Sequence, residues 1–274
     1  MNLSKLGGLL CAIALCIVLY TIVVSRSDSK VDVIFGGVEG AYVQSDKMTF
    51  SDPNASSVEE EEEEDGVEWP DIDIDLPQYT IVNDSHLVSS QYAPDEAVTI
   101  SGTNKKISAT AAPYLEDLLQ AIRDAGFTVV VAGAYRSYSY QTELFNSKAS
   151  QIAYGYGVTD YLDPLYQDAV EEARTIVAYP GSSEHQLGLA VDLMDKNYSK
   201  LIYENMDQEF FEWLDAHCAE YGFIKRYPTK KLLLTGWDEP WHYRYVGVEV
   251  ATFIMERGIC YEEFYAHYDS SFTY

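Results

Sequence analysis

"PGSSEHQLGLAVDL", Pro180–Leu193, carries a histidine and, seven positions later, an aspartate, with small and aliphatic residues between them. Read as a strand, "GLAVDL" places Leu189, Val191 and Leu193 on one face and Gly188, Ala190 and Asp192 on the other. The aliphatic face belongs in a core. The opposite face sets two small residues beside a carboxylate and leaves room for something to approach it. Burying Asp192 without a partner costs several kcal/mol, so a cation or a donor network is expected there. His185 lies in or beside the turn begun by Pro180 and Gly181. Alone, such a His–Asp pair is more often a core hydrogen bond than half of a metal site.

A second stretch shifts that balance. "DEPWHYRYVG" sets Glu239 three residues before His242, with Pro240 interrupting regular structure between them. Imidazole and carboxylate suit zinc, and a hydrolytic zinc site keeps one position for water. His185, Asp192 and His242 would fill the other three positions. Glu239 is then the natural base for the metal-bound water, whose pKa the ion lowers to about 7. Of the remaining histidines, His217 on an amphipathic segment and His267 near the C-terminus read as surface residues.

A third stretch, "AGAYRSYSYQTELF", puts Arg136 directly after a strand-like run, with Gln141 five residues on. A guanidinium at a strand end is well placed to hold a substrate carboxylate or a developing oxyanion. A surface arginine paired with one of the many acids fits the same pattern.

Around these stretches the hydrophobic pattern predicts helices in "SATAAPYLEDLLQAIRDAG", "DPLYQDAVEEARTIVAY" and "QEFFEWLDAHCAEYG", and closing helices in "VEVATFIMERG" and "YEEFYAHY". "FTVVVAGAY", "FIKRY", "KLLLTG" and "WHYRYVG" read as strands. The irregular mixture implies an α+β fold with a small antiparallel sheet flanked by helices.

The chain of 274 residues has a formal net charge of −26, a field that repels phosphate backbones and disfavours nucleic-acid partners. Glu59–Glu64 is an unbroken run of six, followed by Asp65, Glu68, Asp71, Asp73 and Asp75. Residues 26–75 are therefore expected to be an acidic, flexible linker. Before it, Leu6–Val24 is nineteen residues without a charge, about the length of a membrane-spanning helix. Residues 1–25 read as an uncleaved anchor, a cleaved export signal being the competing reading. On this reading the protein sits in the cell membrane by a single pass, with residues 76–274 as the outward-facing catalytic domain. No obligate protein partner is evident. Cys218 and Cys260 could pair in an oxidising compartment, and no CxxC motif supports a thiolate zinc site.

Three ordered motifs also carry a family resemblance. Ser183, His185, Gly188, Ala190 and Asp192 match SxHxxGxAxD, Glu239–Gly247 match ExxHxRYVG, and Tyr135–Gln141 match YRSYxxQ. From about Leu76 to about Gly258 the chain strongly resembles the VanY-type zinc D-alanyl-D-alanine carboxypeptidases. The resemblance implies the α+β fold that murein peptidases share with the hedgehog signalling domain. It implies one Zn²⁺ on His185, Asp192 and His242, with Glu239 as catalytic base and Arg136 stabilising the scissile carbonyl. It further implies that Ser183 and Gln141 contact a peptidoglycan stem peptide. One departure is that "TGWDEPWH" holds two residues between Thr-Gly and Glu, where the family usually has three.

An L,D-carboxypeptidase acting on tetrapeptide stems, or an endopeptidase cutting cross-links, fits the same residues. A non-catalytic zinc-stabilised wall-binding module is the reading from another class, and Glu239 speaks against it. The chain has no GxSxG for a serine hydrolase. Cys218, on a helix that reads as packed, makes a poor nucleophile.

Overall fold

The stretch "AVDLM" forms the centre of the sheet. In the computed structural model, which describes residues 68–195 and 206–273, β4 spans Ala190–Met194 and all five of its residues are buried. It lies between β3 (Val130–Gly133) and β6 (His242–Tyr245), and β5 (Phe223–Lys225) completes a sheet of order β3-β4-β6-β5. Every pairing in it is antiparallel. A separate hairpin joins β1 (Ala97–Thr99) to β2 (Lys106–Ser108). This is the α+β architecture expected, with small antiparallel sheets. The register decides the chemistry, because Gly133 and His242 both stand opposite Asp192.

One face of the sheet makes the main core. Leu115, Leu118, Leu119 and Ile122 of α1 (Ala112–Asp124) pack with Val191, Leu193 and with Phe210, Phe211 and Leu214 of α4 (Gln208–His217). Removing each such side chain from water contributes about 1.5–3 kcal/mol. Pro113 in the first turn of α1 sacrifices no hydrogen bond, and Asp207 caps α4 by accepting from the Phe210 amide.

A second core gathers α6 (Val248–Arg257) and α7 (Tyr261–Tyr268) around Val250, Ile254, Tyr261 and Phe264. Trp69, Ile72 and Ile74 pack against it, and the Trp69 ring stacks on His267 at 3.7 Å between centroids. The folded unit thus begins upstream of residue 76. In "WPDIDID" the apolar residues turn inward while Asp71, Asp73 and Asp75 stay exposed, so the end of the expected linker is docked chain. The expected anchor and the glutamate run lie outside the described residues. Among the described residues no helix is long and apolar enough to cross a membrane.

Two elements differ from the sequence reading. Tyr138–Gly155 is an eighteen-residue helix, α2, paired with α3 (Pro164–Arg174). Its buried line of Gln141, Phe145, Ala149 and Ala153 is one residue wide, and all but Phe145 are polar or small, which hides its period. "KLLLTG" is no strand: Leu232–Thr235 make one helical turn, α5, ended by Gly236 at φ 74°, and Leu233 is 99% exposed. Cys218 and Cys260 are both buried free thiols, and burial raises the pKa of each. They form no disulfide, and neither is an activated nucleophile.

Candidate metal centre

His185 sits in a 3₁₀ turn, Glu184–Leu187, closed by Gly188 in the left-handed conformation at φ 69°. Its Nδ1 donates to the Ala134 carbonyl at 2.9 Å. A carbonyl only accepts, so the hydrogen lies on Nδ1 and Nε2 keeps a free lone pair. That Nε2 is 3.2 Å from Asp192 Oδ1. His242 is arranged with the two nitrogens exchanged. Its Nε2 faces Glu184 Oε2 at 3.2 Å, and its Nδ1 is 3.3 Å from Asp192 Oδ1.

The three ligand atoms lie within 4.8 Å of one another, all on buried residues. His242 Nδ1 is buried with no hydrogen-bond partner. An orphaned imidazole nitrogen aimed at a carboxylate and a second imidazole lone pair is the donor set that zinc takes. The residues fit the ion that the sequence reading expects.

Electrostatics point the same way. Burial would raise the Asp192 carboxyl, but His185, His242 and Arg136 hold it well below the usual carboxylate range. Burial, aided by Arg136, lowers His185 to about 4. Burial also opposes protonation of His242, yet Asp192 and Glu184 outweigh it and push its pKa up to about 9. The site therefore draws positive charge to His242. A histidine with a folded pKa near 9 and an ordinary value of 6.5 stabilises the fold below pH 6.5 and loses that contribution as pH rises to 9. In chelator, the melting temperature should fall across that window. Added zinc should flatten the fall, because the ion takes the place of the proton on Nδ1. Melts with and without chelator from pH 6 to 9.5 check this, and a flat profile in chelator contradicts it.

Glu239 stands at the edge of the trio, its Oε2 3.6 Å from His242 Nδ1. Burial raises its pKa above the usual carboxylate range; His242 opposes the shift and Asp192 adds to it. A carboxylate so tuned accepts and returns protons closer to neutrality. Arg136 donates from Nη2 to Asp192 Oδ2 at 2.9 Å and keeps 24% of its side chain exposed. Gln141 accepts from Arg136 Nη1 at 3.4 Å and donates to the Ala178 carbonyl at 2.7 Å. Having no exposed surface, Gln141 steadies Arg136 from behind rather than lining the cleft. Ser183 does line it, together with Arg136, Tyr227, Trp237 and Glu239, around a volume of about 380 Å³.

Gly133, Glu184, Arg226 and Arg244 escaped the sequence reading. A Cβ on Gly133 would lie 1.9 Å from Asp192 Oδ2 and 3.1 Å from Arg136 Nη2, so only glycine lets that carboxylate take its place beside Arg136 and the two histidines. Its signal was a glycine inside a strand, which marks close approach. Gly133→Ala should cut zinc affinity and activity at least tenfold by displacing Asp192. Zinc titration checks this, and unchanged affinity would contradict it.

Residues 104–248 match the model of the family VanY, D-alanyl-D-alanine carboxypeptidase. The chain belongs to the VanY family. It is 39% identical over 186 residues to the D-alanyl-D-alanine carboxypeptidase of Enterococcus faecalis, covering 67% of this chain and 64% of that relative. This chain thus spans just under two thirds of the relative's length. A Zn(II) complex of a vancomycin-resistance D,D-pentapeptidase VanY variant superposes with a TM-score of 0.58 at 37% identity, covering 69% of this chain and 99% of that one. The LdcB LD-carboxypeptidase gives a TM-score of 0.58 at 29% identity, covering 69% and 86%. The stretch "TGWDEPWH" brings both Trp237 and Glu239 to the cleft.

Proposed function

We propose that this protein is a zinc-dependent D-alanyl-D-alanine carboxypeptidase that removes the C-terminal D-alanine from peptidoglycan stem peptides. The observation that carries the reading is the convergence of His185 Nε2, Asp192 and His242 Nδ1 beside Glu239, at the floor of an open cleft. His185, Asp192 and His242 would hold the ion, which when bound supplies a Lewis acid and an acidified water. Glu239 takes the proton of the attacking water and returns it to the amine of the departing D-alanine. Arg136 offers its exposed guanidinium edge to the carbonyl oxygen as charge develops there, while Gln141 fixes its direction. Ser183, in the cleft wall, contacts the peptide. A purely structural zinc site has no use for a half-buried carboxylate of raised pKa beside its open side.

The relatives divide between D,D and L,D names, so the test offers both substrates. The zinc-loaded protein is incubated with pentapeptide and tetrapeptide stems side by side and the products are weighed by mass spectrometry. Loss of one D-alanine from the pentapeptide is expected. Cleavage of the tetrapeptide alone would make the enzyme an L,D-carboxypeptidase, and no cleavage of either would overturn the reading.

The uncharged run Leu6–Val24 supports a further part of the proposal. It anchors the protein in the cell membrane, and the glutamate-rich segment after it spaces the catalytic domain outward toward the wall.

A further inference from the structure

We propose that Glu184 is a positioning residue that selects the nitrogen by which His242 meets the metal, and that the C-terminal helix α7 helps to hold it. The inference rests on the zinc reading above.

Glu184 has 1% of its surface exposed, beside a site where charge is at a premium. Donors meet both of its oxygens. Oε1 accepts from Arg226 Nε at 2.8 Å and from Arg244 Nη1 at 2.9 Å, while Oε2 faces His242 Nε2 at 3.2 Å. The two arginines are themselves fully buried and held from the far side. Arg226 makes a two-pronged pair with Glu262 of α7, at 2.9 and 2.5 Å. Arg244 donates from Nη2 to the carbonyls of Gln78 and Thr80, each at 3.0 Å. The Tyr261 ring lies against both guanidinium groups, at 5.4 and 5.5 Å. Glu262 lies on α7, beyond residues 104–248 that match the family model.

A carboxylate accepts at both oxygens, and here both sides donate. With Glu184 accepting, neutral His242 keeps its hydrogen on Nε2, and Nδ1 is the nitrogen that faces Asp192 and the metal position. Glutamine cannot replace it. Its single carbonyl oxygen serves either the arginines or His242, and its amide then confronts a donor on the other side. An amide facing Nε2 turns His242 into an acceptor there and moves its hydrogen to Nδ1, where it blocks the metal. Partners of metal-bound histidines typically shift affinity by about 10–100-fold when changed.

The test compares the full-length parent with Glu184→Gln by zinc competition against a chelator and by imidazole ¹H–¹⁵N correlation spectra. Expected are a 10–100-fold loss of zinc affinity, and a hydrogen on His242 Nε2 in the zinc-loaded parent that is no longer held there in the variant. Glu184→Gln/Arg244→Gln keeps the cluster's charge balanced and provides the same comparison if the single variant does not fold. A folded variant with zinc affinity within twofold of the parent would overturn the proposal. So would a parent spectrum, needing no variant, in which zinc sits on His242 Nε2. A parent that binds no zinc at all would instead sink the zinc reading, and this inference with it.

Discussion

Glu239→Ala should slow D-alanine release by about 10²–10⁴-fold while zinc stays bound. The geometry separates the two properties. Glu239 Oε2 stands 3.6 Å from His242 Nδ1, yet the three atoms that fit a metal come from His185, Asp192 and His242. Losing Glu239 therefore leaves the ligand set whole. What disappears is the group that carries a proton from water to the leaving amine. The raised pKa of this carboxyl comes from burial, so alanine also removes a group that costs energy to ionise, and the fold should not suffer. An interaction made mainly in the transition state lowers kcat and leaves KM nearly unchanged. Steady-state kinetics on a pentapeptide, with metal analysis of the same sample, separate the cases. Retained turnover would remove Glu239 from the mechanism, and lost zinc would make it a ligand.

The site was more legible than the scaffold around it. Strand alternation in "GLAVDL" placed Asp192 opposite the aliphatic face, and the register confirms the consequence by setting His242 directly across from it. His185, Asp192, His242 and Glu239 were readable because ionisable residues in small, apolar surroundings need partners, and so few partners were available. Glu184 belongs to the same stretch and was missed. A glutamate next to a histidine looks like a solvated residue until Arg226 and Arg244, forty-two and sixty positions away, are seen to close on it. Long-range pairing of that kind leaves no periodic trace. Helix α2 was hidden for a different reason: its buried face is largely polar or small, Gln141 facing Arg136 and two alanines making room for α3. The docked "WPDIDID" was masked by charge, although its alternation was there to be read.

His185→Ala should leave the protein without zinc and without measurable activity. Two consequences of this side chain make the effect larger than the loss of one ligand among three. First, the 2.9 Å hydrogen bond from Nδ1 to Ala134 fixes the loop from which Arg136 emerges, and the Arg136 amide donates back to the His185 carbonyl at 3.1 Å. Removing the imidazole leaves a buried carbonyl without its donor, at about 1–3 kcal/mol, and loosens the neighbour expected to steady the oxyanion. Second, Asp192 Oδ1 loses the His185 contact that helps to keep it ionised in a buried place. The pair remaining, Asp192 and His242, is too few for a zinc site of this kind. Metal analysis should fall from one zinc per chain to less than about a tenth of that, against full occupancy in Glu239→Ala. The contrast between the two variants is the sharper test: both lose activity, but only His185→Ala is empty. Unchanged zinc content in His185→Ala would contradict the ligand role and reopen the reading of this residue as a core histidine.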